Sequence, residues 1–293
     1  MLRYLINPTD HGRRIESFLQ NLMPTASLSY LHKIVKSGSV ARNETGCPPE
    51  TILRTSDVIT IKETAKTKTF LDIPSHAPDV LFEDESIIIF NKQSGLPVHR
   101  TAEQGEENLV ARGMKFLGSR DSRACKLYPV NRLDKGTSGT VMIAKSSSLA
   151  GIYGKLYQEG KVDKLYLVLV SGKMPDEGQI ELELDGKTAV TIFRTLYRGD
   201  RASLLSVRPL TGRTHQIRRH LAEAKHPLIG DKRYGGKNFE GFNNDALHAF
   251  MLSFRDPLSG LERVIYAPLT AGFLSNLEAL AGDSADSLMS SLI

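Results

Sequence analysis

The sequence predicts an α+β protein with a mainly antiparallel sheet, preceded by a smaller helical unit. Three observations carry that expectation. From Asp79 onward, apolar runs of strand length follow one another closely with few helices between them. Ahead of them, residues 1–62 hold two short amphipathic periods and two short β-rich runs. Residues 63–78 have no sustained period and contain Pro74 and Pro78, which reads as a linker that makes the first unit a tethered domain. The large domain is expected over 79–281, and the Ser- and Asp-rich residues 282–293 as a flexible tail.

Composition narrows the class. The chain has 293 residues, 40% apolar and 24% charged, which is ordinary for a soluble protein with one large and one small core. Met1-Leu-Arg-Tyr-Leu-Ile-Asn-Pro8 lacks the apolar segment of an export signal, and no run approaches membrane length, so a cytoplasmic, non-membrane protein is expected. Two cysteines, Cys47 and Cys125, argue against a disulfide framework or a zinc ribbon. No pair of histidines has metalloprotease spacing, so no metal is expected. A net charge of +5 favours an anionic partner, nucleic acid first. No heptad or apolar patch is legible, so the chain is expected to be a monomer.

In the first unit, Ile15, Phe18, Leu19 and Leu22 fall on one helical face that Pro24 ends. Ser27 or Ser29 can cap a second helix carrying Leu28, Leu31, Ile34 and Val35, closed by Gly38. Val40–Asn43 and Asp57–Ile61 read as strands. In the large domain, Val80–Phe82 and Ile87–Phe90 read as apolar strands, Leu109 to Phe116 and Leu149 to Tyr157 as helices, and Leu165–Val170 as a buried strand. Ile180–Leu184 alternates strictly and should have one wet face. Thr188–Tyr197, Ala202–Val207 and Val264–Ala267 complete the meander.

The stretch that carries chemistry is Asn131-Arg-Leu-Asp-Lys-Gly-Thr-Ser-Gly139. Asp134 sits between two cations, Arg132 and Lys135, which favour the ionised carboxylate, and the two glycines permit close backbone approach. An isolated Asp in such a loop is usually a turn residue, so partners decide its reading. Thr214, Ile217, Arg218 and Leu221 share a helical face, and a guanidinium facing a core needs an acid: Asp134, or another carboxylate. Arg213 and Arg219 point elsewhere and can hold phosphates. Tyr166, two residues from Lys164 on one strand face, either packs in the core or stacks on a nucleobase.

Phe82–His99, Arg132–Gly139, Lys164–Gly172 and Leu210–Arg218, with Pro227–Asp231, Tyr234-Gly235, Leu247–Ala249 and Leu252–Phe254, together resemble the RluA-type family of RNA pseudouridine synthases. The helix-helix-Gly-x-Val-Asn order of the first unit resembles the alpha-L motif, the RNA-binding module named for ribosomal protein S-four. That combination is similar to the family's branch for large-subunit ribosomal RNA. The resemblance implies an isomerase without cofactors that converts uridine to pseudouridine in RNA, 23S rRNA first and tRNA as the alternative. A catalytically silent RNA-binding protein of the same fold is the other reading. It further implies that Asp134 is the catalytic aspartate, Tyr166 the stacking tyrosine and base, and Arg218 the partner of Asp134. Arg132 would fill the gap left by the extruded uridine. Arg213, His215 and Arg219 would lie near the RNA, and Lys33, Lys36 and Arg42 would contact phosphates from the first unit. Asn131, Gln93 and Asp256 depart from the family pattern, which has His, Pro and His there.

Overall fold

Two sheets organise the chain, and the polarity of each strand's faces explains which side is covered. The computed structural model describes residues 1–23, 26–71, 78–99, 107–120, 126–243, 246–290 and 292. Strands β1 (Leu2–Leu5), β2 (Val40–Arg42), β3 (Thr45–Gly46) and β4 (Val58–Ile61) form a four-stranded sheet in the order β1-β4-β2-β3. Helices α1 (Ile15–Leu22) and α2 (Leu28–Lys36) bury Ile15, Leu19, Leu31 and Val35 with Ile59 and Ile61. The Ser27 hydroxyl accepts from the Tyr30 amide to start α2, and Gly38, at φ 71°, closes it in the left-handed region. Pro24, expected to end α1, lies outside the described residues.

The larger sheet has ten strands. They are β5 (Val80–Glu83), β6 (Ile87–Lys92), β7 (Tyr128–Pro129), β8 (Ser138–Ala144), β9 (Val162–Ser171), β10 (Glu177–Leu184), β11 (Lys187–Arg198), β12 (Ala202–Pro209), β13 (Leu247–Arg255) and β14 (Glu262–Tyr266). The spatial order is β10-β11-β12-β9-β13-β8-β6-β5, with β14 on β13 and β7 on β8. The pairings are antiparallel except where β13 meets β8 in parallel, through His248 opposite Ser138 and Ala249 opposite Gly139. The apolar runs are explained by burial on both faces. In β6 and β8, Ile87, Ile89 and Met142 join one core while Ile88, Phe90, Val141 and Ile143 join the opposite one. In β9, Leu167 and Leu169 likewise face away from Val168 and Val170. The alternating β10 has the expected wet face.

Helix α3 (Ala65–Leu71) precedes β5, and helices α4 (Leu109–Arg120), α5 (Ser147–Gln158), α6 (Gln216–Glu223) and α7 (Ala271–Ala281) flank this sheet. Among the described residues no helix is long and apolar enough to cross a membrane.

Three expectations are corrected. The stretch read as an unstructured linker contains a helix over Ala65–Leu71, whose first turn is held by the Thr64 amide on the Thr67 hydroxyl at 2.7 Å and the Thr67 amide on the Thr64 hydroxyl at 3.1 Å. About two turns leave no period to detect, and Phe70 packs against Tyr30 with ring centroids 5.1 Å apart. The stretch read as a frayed tail contains a helix over Ala285–Ser290. Ala285 is buried and Leu288 and Leu292 pack into the core with Phe273 and Leu277, an i, i+3, i+7 face hidden by its polar neighbours.

The third correction concerns the tether. The first unit is docked on the large sheet through α1. Arg13, only 4% exposed, donates from Nε to Asp10 at 2.9 Å, from Nη2 to Asp79 at 2.9 Å, from Nη1 to Asp79 as well, and from Nη1 to the Val80 carbonyl at 3.1 Å. Asn21 pairs with Asp79 and with both backbone groups of Val80. Ser17 reaches the Leu81 carbonyl and Gln20 reaches Glu83. Arg13→Met removes the cation and leaves two carboxylates facing each other in the seam. It is expected to destabilise the protein by about 3 kcal/mol, read by urea unfolding.

Candidate active site

The site forms at the parallel seam, where the halves of the large sheet meet. Gly139 sits at φ 108°, and a Cβ there would lie 2.3 Å from the Ala249 carbonyl oxygen, so only glycine lets β8 and β13 close. Gly136, by contrast, has open space around it and no need to be glycine on that ground. Beside the seam, the Ser138 hydroxyl lies 2.9 Å from Nδ1 of the buried His248, whose Nε2 is 3.1 Å from the Ala267 carbonyl. A carbonyl only accepts, so Nε2 carries the proton and Nδ1 accepts from Ser138.

The loop that presents Asp134 is stapled from behind. Lys92 is fully buried, and its ammonium donates to the carbonyls of Gln93, Leu96 and Lys135 at 3.0, 2.7 and 3.1 Å. A buried ammonium is tolerable when its donors are filled, and here three carbonyls from two loops fill them. The Gly95 amide on the Lys135 carbonyl at 2.8 Å and the Ser94 hydroxyl on the Gly136 carbonyl at 3.0 Å lock the same loops together. The Thr137 amide then closes the turn on the Asp134 carbonyl at 3.0 Å.

Asp134 faces an open cleft of about 530 Å³, whose lining includes Arg132, Lys164, Tyr166, Arg213, His215 and Arg218. The Arg218 Nη1 donates to Asp134 Oδ2 at 3.1 Å, and His215 Nε2 lies 3.6 Å from the same oxygen. Arg218 also answers the alternative raised by periodicity, because it has a second acid. Asp231 takes Nε at 2.7 Å and Nη2 at 2.8 Å, a two-point grip that leaves Nη1 for Asp134. The Asp231 hydrogen bonds are the main cause that raises the Arg218 pKa, with burial opposing and Asp134 adding. The Tyr234 ring lies under the guanidinium at 5.0 Å, and its hydroxyl is 2.8 Å from His215 Nδ1. His215 adopts the left-handed conformation at φ 53°, an uncommon backbone state for a non-glycine residue that turns its ring toward Asp134. Burial lowers its pKa, with the Asp134 charge opposing and Arg218 reinforcing.

Gln216 orders the opposite rim. Its Oε1 accepts from the Thr211 hydroxyl at 2.7 Å and the Arg213 amide at 3.0 Å, and its amide donates to the Val190 carbonyl at 2.9 Å. On the sheet wall, burial pushes the Tyr166 phenol up to about 12, with the Asp134 charge adding to the effect. Burial lowers the Lys164 ammonium.

Six of the ten residues singled out from the sequence therefore meet at one cleft: Asp134, Tyr166, Arg218, Arg132, Arg213 and His215. Arg219 turns away to Asp185 at 2.9 Å. Lys33 and Lys36 are exposed on α2, and Arg42 pairs with Asp57 at 2.6 Å, none of them lining the cleft. The three departures from the family pattern leave the Asp134 carboxylate untouched. Asn131 accepts from the Met142 amide at 2.7 Å, and Asp256 accepts from the amides of Leu258 and Ser259 and from the Tyr153 hydroxyl. Gln93 contributes its carbonyl to Lys92. Asp231, Tyr234 and Lys92 were not read from the sequence as site residues, although each lies within a stretch that carries the resemblance.

An open, cation-lined cleft with one central carboxylate suits a polyanionic chain more than a small metabolite. Comparison with known proteins agrees. The family model described as RNA pseudouridylate synthase matches residues 86–223. The chain is 32% identical to the ribosomal large subunit pseudouridine synthase D of Xylella fastidiosa, over 94% of this chain and 91% of that protein. It is 31% identical to the ribosomal large subunit pseudouridine synthase C of Escherichia coli K12, over 94% and 95%. Human RNA pseudouridylate synthase domain containing 4 shares the fold at TM-score 0.59 and 23% identity, covering 68% of this chain and 91% of that one. The chain belongs to the RNA pseudouridylate synthase family.

The grip on Arg218 makes Asp231 testable. Asp231→Asn keeps the shape but weakens the fork that aims Nη1, and turnover of uridine to pseudouridine is expected to fall about a hundredfold. Single-turnover assays beside thermal melting would show whether that loss occurs without unfolding.

Proposed function

We propose that this protein isomerises specific uridines of large-subunit ribosomal RNA to pseudouridine, acting through Asp134. The observation that carries this reading is the Asp134 carboxylate held at 3.1 Å by Arg218 in the cleft whose wall includes Tyr166. Both relatives described above are named for the large ribosomal subunit, which favours that RNA over transfer RNA. The reading includes a monomer working in the cytoplasm, where ribosomal RNA matures.

The chemistry follows from what each group can do. The target uridine leaves the stack, and Arg132, exposed at the rim, occupies the space it vacates. Arg218 holds Asp134 by its single contact, aimed at the ribose. The carboxylate starts the reaction there, by attack on the anomeric carbon or by removal of a neighbouring ribose proton. Either route breaks the bond to N1 and lets the base turn and rejoin through its 5-carbon. The ring of Tyr166 holds the base by stacking, and its oxygen takes the proton from that carbon. Arg213 and His215 border the strand that carries the target, while Lys33 and Lys36 offer phosphate contacts from the first unit. Arg42 and Arg219, already paired with Asp57 and Asp185, contribute more weakly.

Asp134→Asn is expected to cut release of tritium from 5-tritiated uridine in ribosomal RNA about a thousandfold or more, with RNA affinity within a few-fold of wild type. Turnover by this variant at the normal rate would refute the assignment.

A further inference from the structure

The wall of the cleft contains a second tyrosine for which the reaction just described has no use. Tyr157, near the end of α5, lines the cleft with Tyr166. Its hydroxyl oxygen is sealed from solvent and has no hydrogen-bond partner among the described residues. A phenol pays a desolvation cost for such a position, and phenylalanine would fill the same ring space without it. The Tyr157 ring packs against the apolar cluster that includes Tyr153 and Val162, so the hydroxyl adds nothing that this core needs. After burial itself, Tyr166 is the group whose charge bears on Tyr157.

We infer that the Tyr157 hydroxyl is a hydrogen-bond donor reserved for the Tyr166 oxygen, engaged when that oxygen acts on the base. Tyr157 is thus a positioning residue, acting through Tyr166. This rests on the reading of Tyr166 as the base. The requirement comes from the step itself. With the base joined to the ribose through its 5-carbon, the C5–H bond breaks and its electron pair forms the C5–C6 double bond. The C6–N1 pair moves onto N1, which takes a proton from water, and the C5 proton goes to the Tyr166 oxygen. That oxygen accepts a proton only as the phenolate, yet burial and Asp134 both resist ionisation of Tyr166. The other charged or titratable groups around the cleft are His99 after β6, Arg132 and Lys135 on the Asp134 loop, Arg213 just before α6, His215 and Arg218 at α6, and Lys164 on the same strand. None of these cations is a cause of the Tyr166 shift, whereas a phenol donating to the phenolate would oppose it directly. The hydroxyl is sealed behind the cleft surface, so the stacked base and Tyr157 can use Tyr166 at once.

The test is Tyr157→Phe, which removes one oxygen and keeps the ring. In single-turnover release of tritium from 5-tritiated uridine in ribosomal RNA, kcat is expected to fall about tenfold with KM unchanged. Loss of a donor to the phenolate raises the Tyr166 pKa, so the rise of rate with pH must move to higher pH in the variant. The melting temperature should hold or rise, because a buried unpartnered hydroxyl has been removed. A lower melting temperature would make the hydroxyl structural and overturn the inference. A raised KM with unchanged kcat would make it a contact to the base and overturn it equally. Tyr166→Phe, measured alongside, separates the two readings. If that variant is inactive while Tyr157→Phe matches wild type in kcat and pH profile, only the present inference fails. If Tyr166→Phe turns over normally, the base assignment fails and takes this inference with it.

Discussion

Everything in the cleft depends on the short parallel contact between β8 and β13. Antiparallel strands can be strung together by hairpins, but a parallel neighbour must come from a distant part of the chain. Here the contact joins Ser138 and Gly139 to His248 and Ala249, more than a hundred residues later, and it is only two residue pairs long. On one side of it the loop before β8 presents Asp134. On the other, β13 continues into the sheet that carries Tyr166 on β9, with α6 packed above. Gly139 makes the approach sterically possible, and the Ser138–His248–Ala267 chain gives the seam a polar lock inside an apolar core. A side chain at Gly139 would collide with backbone, which cannot move aside as a flexible side chain can.

The electrostatics of the cleft come down to one cation shared by two acids. Arg218 spends two donors on Asp231, which is largely buried, and one on Asp134, which is about a third exposed. The unequal sharing matters. A guanidinium bound in two-point fashion to Asp134 would tie up both of its oxygens, whereas the contacts of Arg218 and His215 both fall on Oδ2. Asp231 therefore sets the direction of Arg218 and moderates its pull on Asp134 at the same time. Tyr234 adds a face to the same grip and passes a hydrogen bond on to His215, whose Nε2 is the next nearest group to Asp134.

How much of this could be read beforehand follows the range of the interactions. Asp134, Arg132 and Lys135 are adjacent in sequence, and Arg218 declares itself by sharing a helical face with Ile217 and Leu221. Local pattern marked those as candidates and left their pairing open, and a buried strand around Tyr166 was plain from its neighbours. Asp231 escaped notice because its partner lies across an irregular turn with no period to connect them. Nothing local marks Lys92, and only the fold brings the carbonyls of Gln93, Leu96 and Lys135 around its ammonium. The two glycines near Asp134 looked alike in sequence, yet Gly139 alone faces backbone at close range. The helix over Ala65–Leu71 is too short to show a period and that over Ala285–Ser290 carries its apolar face among polar neighbours, and tertiary contacts made through Phe70 and Leu288 hold them.

The docked first unit changes what its basic side chains can contribute. On a flexible tether, Lys33 and Lys36 would raise the local concentration of RNA and no more, since every orientation would be sampled. With Arg13, Ser17, Gln20 and Asn21 all bonded to the segment Asp79–Glu83, α1 is held on β5 at a set angle, and α2 packs on α1. Phosphates that reach Lys33 and Lys36 must then lie at a defined position relative to the cleft. A rigid pair of surfaces favours RNA whose own shape spans both, because no ordering cost is left to be met on binding. Under the function proposed above, selection among uridines would then come from the fold of the RNA around the target.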